Sequence, residues 1–169
     1  DSVAAPDVVT VATFQDISGS PALTTYGEFT SDARSLKGTV NALAGWEPGT
    51  SPLFPALADT VALTASSPLA SSGDRRRSVV AVTASWHAGN CAYPGCTKAE
   101  GAAVEAAVAS RIPVNAIGDF GSGPYVAALT GGVYVEINDA AQLPIVLQNL
   151  NSIISRNLAW NRVRLELHA

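Results

Sequence analysis

Short apolar runs alternate along the chain with longer amphipathic stretches, and this alternation predicts its elements. "VVTVATF" at 8–14 is β-branched and brief, as a buried strand should be. "SDARSLKGTVNAL" at 31–43 sets Leu36, Val40 and Leu43 on one helical face, with Ser31 placed to cap it. In "SPLFPALADTVAL" at 51–63, Ser51 caps, Pro52 takes the first helical position, and Leu53, Leu57 and Val61 make the stripe. A polar loop leads to a second buried strand, "SVVAVTA" at 78–84. The Ala-rich helix at 99–111 stops before Pro113, and "IPVNAI" at 112–117 is the next strand. The short helix "YVAALT", a Gly-Gly stop and the strand "VYVEI" at 133–137 follow. Asp139 and Gln142 are spaced as a capping box for a helix beginning at 140, with Pro144 early enough to be tolerated. The tail "NRVRLELHA" alternates apolar and polar residues, so 158–169 reads as a strand or the start of a following β region.

Strand–helix repetition with continuous apolar strands predicts an α/β fold over residues 1–157: a doubly wound, mostly parallel sheet flanked by helices, Rossmann-like. Ligands of such sheets bind beyond the carboxyl ends of the strands. The loops 15–30, 45–52, 84–98 and 118–124 are therefore the ones that matter.

Composition narrows the class. The 169 residues, 47% hydrophobic and 14% charged, suit one globular domain with a substantial core. No apolar run reaches the ~18 residues of a membrane span, so no membrane insertion is expected. A net charge of −4 argues against nucleic acid as the partner. Arg75–Arg77 is the one basic cluster and reads as a solvated turn. The chain has no methionine, so Asp1 is expected to follow a removed leader or tag, or to begin a fragment.

Cys91 and Cys96 flank turn chemistry, Tyr-Pro-Gly, that can bring them within disulfide reach; the alternative is two free thiols. A pinned loop of this kind goes with an exported, extracellular or cell-surface protein. Zinc is not expected, since only His87 lies near them.

"DISGS" spells Asp16-x-Ser18-x-Ser20, three oxygen side chains able to hold a hard cation at the end of a strand. It also reads as a plain polar turn. A Ser–His–Asp hydrolase built on Ser18 or Ser85 with His87 lacks a nucleophile elbow. "GDFGSG" at 118–123 lacks the order and the Lys-Ser/Thr ending of a phosphate loop, so it reads as a turn. No catalytic residue is assigned and no enzyme is expected.

From Val8 to about Ser155 the chain resembles the von Willebrand factor A domain family. The resemblance is carried by "VVTVATF", "LTTYGEFTSDARSLKGTVNAL", "GTSPLFPAL" and "RRRSVVAVTASWHAGNC". It continues in "AVASRIPVNAIGDFG" and "LTGGVYVEINDAAQL". Such domains often bind magnesium through an Asp-x-Ser-x-Ser loop on the first strand, a threonine on a Gly-Thr loop, and Thr-Asp-Gly after the fourth strand. Thr50 matches the threonine, but Thr83-Ala84-Ser85 stands where Thr-Asp-Gly belongs, so Ala84 replaces the carboxylate. The resemblance thus implies a degenerate site around Thr50, Asp16, Ser18 and Ser20, with no cofactor or, at most, Mg²⁺ or another divalent cation.

Two alignments are open. In the favoured one "VVTVATF" matches the family's second strand, "DISGS" is the turn after it, and the central first strand is missing. The sheet would then have two unpaired edges and a groove, filled from upstream residues, from another chain or by a change of register. In the other, "VVTVATFQD" is the first strand itself. The resemblance implies a non-enzymatic module for protein recognition or adhesion, with Ser85, Trp86, His87 and Asp119 on its binding face and a protein partner. The alternative is a structural spacer within a larger extracellular assembly.

Overall fold

The computed structural model describes residues 8–17, 20–43, 52–71, 77–83, 95–118, 122–137, 139–150 and 152. The strands form two separate sheets. β1 (Val9–Ile17) and β2 (Ser20–Thr30) form an antiparallel pair. β3 (Val79–Thr83), β4 (Val114–Gly118) and β5 (Tyr134–Val135) form a parallel sheet in that order. The helices are α1 (Ala33–Ala42), α2 (Leu53–Ser66), α3 (Gly95–Ser110), α4 (Gly123–Thr130) and α5 at 143–150. The fold is therefore mixed α/β, with a three-stranded parallel sheet flanked by helices.

The first sheet departs most from expectation. Residues 20–30, expected as loop, are the partner of β1, with Ile17 opposite Ser20 and Val11 opposite Tyr26. The reason lies in the residues themselves: Thr24, Thr25, Tyr26 and Phe29 favour a pleated surface, and Pro21 sits near the start of the strand where it is tolerated. Between Val9 and Val11 the register slips, so that Val9 faces Thr30. Gly27 takes a left-handed φ of 82° at this bulge, and Thr10 Oγ1 donates to its carbonyl at 3.1 Å. β1 is not the fully buried strand its composition suggests: Val9 is exposed and its neighbours are half-buried.

α1 forms where predicted, but Asp32 rather than Ser31 caps it, its carboxylate accepting from Arg34 N at 2.9 Å. Its stripe finds no core: no residue of the helix is buried, and Val40 is exposed. α2 buries Leu53, Leu57 and Val61 as the stripe requires. Pro52 stands just outside the helix as its N-cap rather than at the first helical position. α3 starts at Gly95, ahead of the expected 99, and ends at Ser110, and the next residue, Arg111, turns the chain before Pro113 with a φ of 53°. α4 ends on Gly131 at φ 76°, a left-handed stop. Asp139 Oδ1 accepts from Ala141 N at 2.9 Å ahead of α5.

One core joins these parts. Val79 and Ala81 of β3 and Val114 and Ala116 of β4 pack against Leu53, Phe54, Leu57 and Val61 of α2 and Ala103, Val104 and Ala107 of α3. Ile112 and Val126 complete it, and Phe14 of β1 packs on its margin. The alanines of α3 let that helix pack closely against α2. On the other face of the sheet, Asn115 and Ile117 of β4 are buried, whereas Val80 and Val82 of β3 are 42% and 41% exposed.

Candidate functional site

The carboxyl ends of β3 and β4 are the part of the parallel sheet from which a ligand-binding surface would be built. Thr83 ends β3 directly opposite Gly118, which ends β4. The two backbones are in such close approach that only glycine fits: a Cβ on Gly118 would lie 1.7 Å from the Thr83 carbonyl oxygen, and φ is +125°. Tyr134, on β5, reaches across the same end and donates its hydroxyl to Gly118 O at 3.0 Å. The ends of β3 and β4 thus meet here, and a side chain from the start of β5 is tied to the end of β4.

Glu100 and Ser122 add the titratable part. Ser122 is the N-cap of α4, yet its side chain caps nothing in that helix. It hydrogen-bonds instead to Glu100, on α3. Partial burial pushes the Glu100 carboxyl above its ordinary range, and the bond from Ser122 offsets part of that rise. The pair is a hydroxyl donor and a carboxyl group that holds its proton more readily than an exposed glutamate. It can hydrogen-bond a polar ligand, and it links α3 to α4 beside the sheet.

At the opposite end, Asn115 does for the amino ends of the strands what Tyr134 does for the carboxyl ends. Its buried amide donates to Val79 O at 3.3 Å and accepts from Val133 N at 3.1 Å. One side chain therefore bridges from β4 to β3 and to the residue that leads into β5.

The residues singled out by sequence are distributed as follows. Asp16 lies in β1 opposite Pro21, and Ser20 opens β2 opposite Ile17, so both belong to the antiparallel pair. Cys96 lies in the first turn of α3. Ser18, Thr50, Ala84, Ser85, Trp86, His87, Cys91 and Asp119 lie outside the described residues, as does the tail 158–169. Asp16 and Ser20 are thus on a different sheet from the Thr83 strand end. Among the described residues there is no cluster of three or more His, Cys, Asp or Glu that could hold a metal ion. Nor is any helix among them long and apolar enough to cross a membrane.

Neither a family model nor a curated protein matches the chain. The site therefore stands on its own geometry. Sequence reading missed Glu100 and Tyr134. Glu100 sits in an Ala-rich run with nothing beside it to mark it, and Tyr134 reads as an ordinary strand residue. Ser122 did carry a signal, since a serine just ahead of Gly-Pro is a helix-start pattern.

Proposed function

We propose that the chain is a non-enzymatic recognition module of the von Willebrand factor A kind, belonging to an exported or surface-assembly protein and binding a protein partner. The observation that carries this reading is the close lock between Thr83 and Gly118. It holds two neighbouring strand ends rigidly, and the segments 84–94 and 119–121 continue directly from them. Rigid scaffolds that present loops are how binding surfaces are commonly built. Ser85, Trp86, His87 and Asp119 fall on those segments and form the proposed binding face. The metal site of that family is degenerate in this reading, because Ala84 offers no ligand atom.

Site-specific photo-crosslinking in the native host tests the binding face. A crosslinker at Ser85 or Trp86 should capture a protein, whereas one at Val108, exposed on α3, should not. Equal capture at all three positions, or none, would leave the chain a spacer. Calorimetric titration with magnesium chloride tests the degenerate site. Heat of binding that Thr50→Ala abolishes would overturn that part of the reading.

A further inference from the structure

Residues 8–43 are tied more firmly to one another than to the rest of the molecule. β1 and β2 pair from Val9 opposite Thr30 to Ile17 opposite Ser20, and within the pair Thr13 Oγ1 and the Tyr26 hydroxyl hydrogen-bond at 3.1 Å. Thr30, which ends β2, accepts through Oγ1 from Asp32 N at 3.1 Å, and Asp32 in turn caps α1, so strand and helix share one polar corner. α1 lies back on the hairpin, its principal contacts being with β1 and β2. Leu36, Thr39 and Leu43, on one face at helical spacing, are half-buried, whereas the rest of the helix is exposed. The outward hold is slighter. Among the described residues every buried one lies at position 52 or beyond. Phe14, itself half-buried, is the one side chain among the described residues of 8–43 that packs against the main core, and α2 is the helix of that core which β1 and β2 touch. β4, at the centre of the parallel sheet, is by contrast buried along its whole length.

We propose that β1, β2 and α1 undock from α2 and redock as one unit while the parallel sheet and α2–α4 stay folded, with Phe14 as the latch. A segment opens by itself when its outward contacts are weaker than its inward ones and weaker than those of the body it leaves. The inward contacts here are a strand ladder, a capped helix and a small apolar face between them, and undocking breaks none of these. The outward contact centres on one partly covered phenyl ring, whose burial is a small fraction of what holds a whole domain. A two-stranded hairpin alone is marginal in water, and the helix laid on it supplies the third element that keeps the unit together once it has left α2. The fold therefore contains a two-state element. A partner or a pull that favours the docked or the undocked form shifts the balance between them. The inference is independent of the recognition reading, since it concerns how 8–43 is held and not the segments that follow β3 and β4.

Native-state hydrogen exchange of the full chain, read by mass spectrometry at low urea concentrations, tests it. Peptides covering 9–14, 23–30 and 33–43 should exchange through a common opening, with protection roughly a hundredfold or more below that of 112–118. Phe14→Ala should speed exchange in all three by a similar factor, roughly tenfold, and leave 112–118 unchanged. Phe14→Leu should move the same three peptides together by a smaller factor, and it serves if the alanine variant fails to fold. Protection over 8–43 in the wild-type chain equal to that over 112–118 overturns the proposal, because the segment then opens only with the whole molecule. Acceleration confined to 9–14 in either variant also overturns it, because the strand then frays without α1.

Discussion

Gly118 lies against Thr83 so closely that the carbonyl oxygen of one strand occupies the space where the other would carry a side chain. The contact is backbone on backbone, with a positive φ at the glycine, so no rotamer change can relieve it. Gly118→Ala should therefore destabilise the fold by about 3 kcal/mol or more, or prevent folding. Gly38→Ala in α1 is the control, with nothing within 4 Å of its added methyl. It should stabilise by about 0.5–1 kcal/mol. Urea unfolding of the two variants measures both.

Asn115 predicts a pH-dependent variant. Asn115→Ala removes both amide bonds from a buried position and should cost about 2–4 kcal/mol. Asn115→Asp keeps the acceptor for Val133 N but loses the donor to Val79 O and places an ionisable group in the core. Its loss of stability should be larger at pH 7 than at pH 4, as the buried carboxyl is forced to ionise. Thermal unfolding at the two pH values reads the difference.

Glu100 sets a slope of its own. Its carboxyl titrates above the ordinary glutamate value in the folded chain, mainly because burial disfavours the charged form. The folded state therefore binds more protons than the unfolded state from about pH 4.5 upward through the folded value, and stability falls as pH rises across that window. Glu100→Gln should remove this fall and leave a small gain at neutral pH, with the advantage gone below the window. Denaturant midpoints measured from pH 4 to 8 give the profile.

Two similar stripes should respond differently. Leu57 on α2 is buried in the core, and Leu57→Ala should cost about 2–5 kcal/mol. Leu36 holds the equivalent place on α1, which buries no residue. Leu36→Ala should cost less than about 1 kcal/mol. Equal losses would mean that α1 is covered in solution.

The contrast between those helices also marks what could be read from the chain. The apolar period finds both α1 and α2, but it cannot say which stripe has a partner, because burial depends on elements distant in sequence. β3, β4 and α4 were legible because β-branched runs and Gly or Pro stops coincide there. β2 was not, because Pro21 and Gly27 punctuate it as they would a loop, and only pairing with β1 makes it a strand. At the site, Thr83 was visible as the end of an apolar run. Glu100 was not, since its burial and its bond to Ser122 come from two helices meeting.

The division into two sheets has a mechanical consequence. β1 and β2 join at the Ile17–Ser20 end, so tension between residue 9 and the rest of the chain pulls at the open end of the hairpin. It separates one cross-strand pair at a time. Tension drawn along β3 against β4 instead loads the whole parallel register at once, together with the Asn115 amide bridge. Pulled from its amino-terminal side, the molecule should yield early and reversibly at the hairpin, while the parallel sheet bears the load.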